Sequence, residues 1–186
     1  MRPTLLEGDV VFVNRLAYDV KLPLTDVVLL PLGDPQRGDV VTFTSPQDGT
    51  RLIKRIAAVP GDRVEMRNEV LYINGQAAEY DAPEVVQEAV GVGATVQATR
   101  WTERLGGHER RVQWLHGVPA RSTFDAIEVP AGQYLMLGDN RDDSVDSRYI
   151  GLVPRHLLIG QARRVLVSAD ILRHWAPRLQ RIGLPL

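Results

Sequence analysis

The chain has 186 residues, of which 44% are hydrophobic, and a formal net charge of -1 at pH 7. This length and composition allow a buried core, arranged as one domain or as a domain with an insertion. The near-zero charge argues against bulk electrostatic binding to nucleic acid, and the lack of cysteine excludes disulfides, thiol nucleophiles and thiolate metal sites.

Strand signals dominate the first part of the sequence. Segments rich in Val and aromatic residues predict strands within 9–18 and 37–46. The apolar run VVLLPL at 27–32 is far shorter than the roughly 18–20 residues that a membrane-crossing helix needs. It predicts a short buried segment instead.

A hairpin is predicted at 63–75, directly after a Pro-Gly-Asp turn. Its alternation places Val64 and Met66 on one side of the first strand. Val70 and Tyr72 are expected to occupy the matching positions on the return strand.

A second β-ribbon is predicted at 94–117, turning at Gly106–Gly107. Its alternating polar content suits a two-stranded insert better than a core sheet. We therefore expect a β-rich catalytic core formed by 1–78 and 126–186, with 79–125 inserted as a ribbon region.

The last third of the chain returns to a core pattern. QYLML at 133–137 predicts a buried strand, 153–168 predicts one or two more strands, and 169–186 is a weakly amphipathic tail. With Gly and Pro separating short strands throughout, the fold class is predicted to be mainly β.

Lysine is rare in this chain, since 20 of the 22 basic residues are arginine and the two lysines are Lys21 and Lys54. Lys54 lies in RLIKRIAAVPGD, at 51–62, whose alternation predicts a strand with Lys54 on an apolar face. A lysine among apolar neighbours can lose its proton and act as a general base, whereas arginine cannot. The alternative is a surface lysine whose stem covers apolar groups while its amine stays in water.

The strand at 133–137 runs into a highly charged loop, GDNRDDSVDSRYIG, at 138–151. An EF-hand calcium loop is excluded because no starting residue puts Gly at the sixth position and Glu at the twelfth. The four histidines lack ligand spacing, so no zinc site is predicted. These histidines are His108, His116, His156 and His174.

The charged loop is either a solvated turn or a structural brace. In the brace, Asp146 and Arg148 share a face of an extended segment and pair, or reach separate partners. Ser144 offers a hydroxyl to an amine on another strand, and Gly138 allows close backbone approach. Asn140 can tie the loop to backbone groups.

Four segments in this order resemble the bacterial type I signal peptidases, and the charged loop is the most specific of them. The segments are 1–5 with 8–9, 37–43, 54–55 with 59–62, and 138–149. The resemblance implies an antiparallel β catalytic core and a serine endopeptidase that uses a lysine base, with no cofactor and no metal. It covers nearly the whole chain except the insert.

The resemblance also implies roles for six residues. Lys54 matches the general base, and Ser144 matches the serine that orients it. The others match a structural ion pair, Asp146 with Arg148, and two positions that shape the loop, Gly138 and Asn140.

One departure concerns the nucleophile. The family motif reads Ser-Met-x-Pro-Thr, and this chain starts on Met1, so the serine is expected just before Met1, with an oxyanion-hole residue and the membrane anchor further upstream. We expect the chain as written not to cleave precursors. Its start is then an internal methionine taken as the first residue, or the chain is a truncated pseudo-enzyme or a β domain that only binds extended peptides.

The implied partners are signal-peptide-bearing precursors with small side chains before the cleavage point, bound extended along a strand edge. The implied location is the outer side of the bacterial cytoplasmic membrane. A self-cleaving repressor protease would share the Ser/Lys pair, but it should also carry a DNA-binding module, which the sequence lacks.

The tail suggests contact with a membrane surface. Trp175, together with Arg173, Arg178 and Arg181, has the character of aromatic and basic groups found at lipid surfaces. The alternative is a tryptophan packed on the core of its own domain.

Overall fold

The computed structural model describes residues 1–22, 25, 27–90, 94–171 and 174–186. Short strands joined by turns account for most of the described chain, so the predicted mainly β class is confirmed. The strands, in chain order, are β1 Asp9–Asn14, β2 Asp19–Lys21, β3 Val28–Pro31, β4 Val40–Thr44, β5 Arg51–Ala58, β6 Arg63–Arg67, β7 Val70–Ile73, β8 Gln76–Ala77, β9 Glu79–Ala89, β10 Thr95–Leu105, β11 His108–Leu115, β12 Phe124–Glu128, β13 Gln133–Leu137, β14 Val153–Pro154, β15 Leu158–Asp170 and β16 Ala176–Pro177. The helical elements are α1 Ser147–Ile150 and two 3₁₀ turns, Arg155–Leu157 and Leu179–Arg181.

The largest sheet has seven strands in the order β1-β15-β4-β5-β13-β14, with β16 paired to β15. Smaller sheets have the orders β12-β6-β7-β8, β11-β10-β9 and β2-β3. In the large sheet β5 lies between β4 and β13, and it pairs antiparallel with both. The predicted lysine strand is therefore near the middle of the main sheet.

Alternate side chains along the central strands point to opposite faces of the sheet and form the core. Ile56 of β5 is opposite Met136 of β13, and both are completely buried in one cluster with Phe43. Leu135 and Leu137 pack in a second cluster formed with the β6–β7 hairpin. Because β13 contributes to both clusters, the charged loop that follows it starts from a strand buried on two faces.

The predicted matching of residues across the β6–β7 hairpin is wrong. Val64 and Met66 share one side of β6, which is buried, but the matching buried residues of the return strand are Leu71 and Ile73 instead of Val70 and Tyr72. The hairpin register pairs Val64 with Ile73 and Met66 with Leu71. Residues directly opposite each other in a strand pair point to the same face, so the register decides which set is buried.

The apolar run at 27–32 is exposed, which contradicts the prediction of a buried segment. Leu29 and Leu30 are 59% and 54% exposed. The run forms β3, which pairs only with the three-residue β2 among the described strands. A two-stranded ribbon cannot cover its own faces, so these side chains stay in solvent.

The predicted ribbon at 94–117 forms β10 and β11, joined at Leu105–His108, but it is part of a three-stranded sheet with β9. Glu103 and Gln113 are fully buried, whereas a solvated ribbon would leave such polar side chains exposed. The division of the chain into a core and an inserted region remains a prediction.

Candidate active site

Lys54 is buried in the middle of the main sheet, with 8% of its surface exposed. Its Nζ donates a hydrogen bond of 2.9 Å to Ser144 Oγ. Burial lowers the pKa of the Lys54 amine, and the nearby carboxylates of Asp146 and Asp143 oppose that shift only partly. The alternative of a solvated surface lysine is therefore wrong, and the amine is shifted toward the neutral form that a general base needs.

Gly138 makes the contact between Lys54 and Ser144 possible. A Cβ atom built on Gly138 would lie 2.1 Å from Ser144 Oγ and 2.6 Å from its Cβ. Any side chain at position 138 would displace Ser144 from the lysine. The structure thus gives a steric reason for glycine at the start of the charged loop.

Asp146 and Arg148 form a buried, two-point ion pair. Arg148 Nε donates to Asp146 Oδ1 at 2.9 Å, and Arg148 Nη2 donates to Asp146 Oδ2 at the same distance. The Asp146 carboxylate also accepts from the backbone N–H of Gly138 at 3.0 Å and caps α1 by accepting from that of Arg148. The two ends of the loop are therefore fastened to one carboxylate.

Burial alone would raise the pKa of Asp146, but the hydrogen bonds and positive charge of Arg148 outweigh it and hold that pKa below its usual range. A carboxyl whose pKa is lowered by folding stabilises the native state above its unfolded pKa. That contribution is lost as pH falls through the folded pKa.

We expect Asp146→Asn to lower the free energy of unfolding by about 3–5 kcal/mol at pH 7, because it leaves the buried Arg148 guanidinium without its carboxylate. Urea unfolding of both chains measures this difference. It should shrink as pH falls below about 4, where the Asp146 carboxyl of the unfolded parent chain starts to protonate, and then through the lower pKa of the folded chain. Asp125→Asn, at an exposed position, is the control, and a loss at Asp146 no larger than at Asp125 would contradict the role of the pair.

A second buried ion pair was not assigned a role from the sequence. Arg55 donates to Asp139 through Nε at 3.0 Å and Nη2 at 2.7 Å, and Thr4 Oγ1 donates to the same carboxylate. Asp139 thereby joins β5, the charged loop and the amino-terminal segment. The signal was present, since a charged residue directly after Lys54 in an apolar strand needs a buried partner.

Asn140 is buried beside this pair, and its neighbouring backbone groups attach the loop to β11. Gln113 N donates to Asp139 O and Arg141 N donates to Gln113 O, both at 2.9 Å. The loop contact predicted at Asn140 is thus made by the main chain on either side of it. Its own Oδ1 has no hydrogen-bond partner among the described residues.

The amino-terminal segment lies next to the lysine. Leu5 is buried against Val40, Ala162 and Val165, which anchors the segment to the main sheet. Burial lowers the pKa of the Met1 amine, and repulsion by the Lys54 charge lowers it further. The backbone nitrogen of Met1 is therefore within electrostatic reach of Lys54.

The structure brings together five of the six predicted site residues through side-chain or backbone contacts, with Asn140 in the same loop. A buried lysine with a lowered pKa, held by a hydroxyl, can accept a proton from an alcohol nucleophile. Among the described residues, no cluster of His, Asp and Glu is arranged to hold a metal ion. This arrangement is the one expected of serine hydrolases that use lysine as the base.

Comparison with known proteins identifies the family within this class. The model of the family "Signal peptidase, peptidase S26" matches residues 1–167. A signal peptidase I of Pseudomonas aeruginosa is 36% identical over 197 residues, covering 99% of this chain and 68% of the relative. One from Rickettsia conorii is 32% identical over 188 residues, covering 92% and 69%. A solved signal peptidase I from Enterococcus faecalis is 30% identical, covers 70% of this chain and 97% of its own, and has a TM-score of 0.40.

The chain belongs to the signal peptidase I family and is a serine endopeptidase by that membership. The family predicted from the four sequence segments is therefore confirmed. In the described part of the chain, no helix combines the length and apolar character needed to span a membrane.

Proposed function

We propose that this chain provides the general base and the framework for removing signal peptides from secreted precursor proteins. Support comes from the buried hydrogen bond between Lys54 and Ser144, at 2.9 Å, in a chain of this family. In this proposal Lys54 takes the proton of a serine hydroxyl as that serine attacks the scissile carbonyl. The protonated lysine then gives that proton to the leaving amine as the peptide bond breaks. The neutral lysine next takes a proton from the water that attacks the acyl-enzyme and returns it to the serine oxygen as the new carboxyl product leaves.

The attacking serine is proposed to stand immediately before Met1. The electrostatic proximity of the Met1 amine to Lys54 supports this placement. Ser144 accepts a hydrogen bond from Lys54, and its hydroxyl also helps to lower the pKa of the Asp146 carboxyl. Ser144 is thus proposed to orient the lysine, while Asp146 and Arg148 hold Ser144 in position.

The substrate is proposed to bind as an extended strand beside β5. The pairing of β5 with β13 covers Arg55 to Ala58, whereas β4 pairs along Arg51 to Arg55. Among the described strands, the edge from Arg51 to Lys54 is therefore unpaired on the β13 side. An extended peptide added there gains main-chain hydrogen bonds next to the base.

The test is cleavage of a precursor peptide that carries small residues before its cleavage point, using a chain that carries the serine. Mass spectrometry of the products should show one cut directly after a small residue. Cuts at unrelated positions, or none, would contradict the proposed substrate class.

We also propose that the domain works at a membrane surface, on the outer side of the bacterial cytoplasmic membrane. Trp175 is 72% exposed, so the alternative that it packs on the core is wrong. Exposed apolar side chains on β1 and β15 and in the tail also support contact with a membrane. These are Val10, Phe12, Leu166, Val167, Ile171, Leu179 and Ile182.

The basic residues of the tail contribute less to this surface than predicted. Arg181 forms an ion pair with Asp9 and is largely buried, and Arg178 pairs with Asp170 at 3.3 Å. Arg173 lies outside the described residues. The proposed membrane contact therefore depends mainly on apolar and aromatic side chains.

We expect Trp175→Ala to weaken binding to phospholipid vesicles about tenfold, since the indole is the largest exposed apolar group of the tail. Co-sedimentation of the 186-residue chain with vesicles measures this effect. His174→Ala, which changes the neighbouring exposed residue, is the control. Equal binding by the parent and the Trp175 variant would remove this tryptophan from the proposal.

A further inference from the structure

A cavity of about 590 Å³ lies between the three-stranded sheet and the β6–β7 hairpin, next to the charged loop. Its volume falls in the range typical of sites for small organic groups. Its lining comes from β7, β9, β10 and β11, the β6–β7 turn, the segment after β11 and the charged loop. The lining residues used below are Glu69, Tyr80, Trp101, Trp114 and Asp142.

Three aromatic rings form the walls of this cavity. The rings of Tyr80 and Trp114 meet edge to face, with centroids 5.3 Å apart and planes at 75°. Tyr80 is fixed further because its hydroxyl donates to Glu103 at 2.8 Å. Trp101 is half-buried on the adjacent strand. Aromatic faces arranged in this way attract organic cations.

Two carboxyl groups supply negative charge to the same cavity. Burial raises the pKa of Glu69, and repulsion from Asp142 raises it further. Burial also raises the pKa of Asp142, although its carboxylate accepts from Leu115 N at 2.8 Å. No lysine or arginine is among the described residues that line the cavity.

One neighbouring cation is already paired. Arg141 lies over the Trp114 ring at 5.6 Å, but it is buried and forms an ion pair with Glu103. The charges of Arg148 and Arg141 oppose the effect of burial on Asp142 only partly, because the pKa of that carboxyl is still raised. A cationic ligand would complement both carboxylates and the ring faces.

Glu69 occupies a backbone position that disfavours its own side chain. Asn68 and Glu69 form the β6–β7 turn with φ values of 47° and 72°. Turns with positive φ at both central residues favour Asn-Gly, because glycine lacks the Cβ that makes this conformation unfavourable. The chain has a glutamate there, and that side chain lines the cavity.

We propose that this cavity binds a basic side chain, arginine or lysine, of a polypeptide substrate. This inference rests on the proposed function, because Asp142 is two residues before Ser144 in the loop that would meet the precursor. The cavity accepts the cationic head between Trp101 and Trp114, with Glu69 and Asp142 as its counter-charges. It would favour precursors that carry a basic residue away from the cleavage point.

Calorimetric titration with two short peptides tests this proposal without requiring cleavage. Acetyl-Gly-Arg-Gly-amide should bind about tenfold more tightly than the same peptide with citrulline, which keeps the shape and lacks the charge. Equal binding of the two peptides, or no binding of either, would overturn the inference. Because the readout is binding, it can fail while precursor cleavage succeeds, and it can succeed while cleavage fails.

Three variants assign the binding to this cavity. Glu69→Gln should weaken binding of the arginine peptide about fivefold, while Glu79→Gln, at an exposed position outside the cavity, should leave it unchanged. Glu69→Gly should weaken binding as much and keep or raise thermal stability, because glycine suits the turn. Unchanged affinity in both Glu69 variants would overturn the assignment.

Discussion

With a serine placed immediately before Met1, the chain should cleave a signal-peptide precursor at least about 10³-fold faster than the same chain with alanine there. Lys54 and Ser144 are already hydrogen-bonded, and Met1 is within electrostatic reach of the lysine. An added hydroxyl would therefore meet a base that is shifted toward its neutral form. Precursor cleavage followed by mass spectrometry gives the rates.

The control for this comparison is a short extension that ends in alanine instead of serine and is otherwise identical. It keeps the length and bulk of the added segment and removes only the nucleophile. We expect the alanine chain and the 186-residue chain to be equally inactive. Turnover by the alanine chain would show that a hydroxyl within 1–186 performs the attack, and the proposed placement would be wrong.

The site could be predicted from the sequence where local pattern and chemistry agree. Lys54 is recognisable because it lies in an apolar strand of a chain whose basic residues are mostly arginine. Its predicted burial is the property on which its proposed role as a base depends. The spacing of Asp146 and Arg148 left open whether they pair or reach separate partners, and the ion pair was implied by the family resemblance. Even so, the sequence does not show that the pair also holds Gly138 N, since that contact depends on how the loop closes.

Pairing across distant segments could not be predicted in this way. Asp139 joins Arg55 and Thr4, which are 84 and 135 positions away in the sequence. Glu103 looks solvated on an alternating strand, yet it is fully buried between Arg110 and Arg141. Buried charges of this kind are decided by which strands pack together, and alternation within one strand carries no information on that.

The run at 27–32 shows the opposite error, since its apolar side chains were predicted to be buried and are exposed. Hydrophobicity predicted burial, but burial also requires a second layer, and β2–β3 is a two-stranded ribbon without one among the described residues. Apolar side chains that remain exposed in this way mark surfaces for interaction. The hydrophobicity of the sequence therefore identified an apolar segment correctly but predicted burial where the segment is exposed.

Lys54→Arg, made in the chain that carries the added serine, should abolish cleavage, with a loss of at least about 10³-fold. Arginine keeps the positive charge but cannot accept the serine proton. Since burial lowers the pKa of Lys54, cleavage by the parent should rise with pH and level off below the ordinary lysine pKa of about 10.4. Initial rates across a pH series measure both effects.

Two further variants separate loss of chemistry from loss of folding. Lys54→Met replaces the buried amine with an apolar chain of similar length, so the protein should stay folded and be equally inactive. Lys21→Met changes the other lysine, which donates to the backbone oxygens of His156 and Leu158, and it should retain cleavage. If the domain only binds peptides, Lys54→Arg should leave its function unchanged. If Lys54 is the catalytic base, both Lys54 variants should lose turnover and the Lys21 variant should keep it.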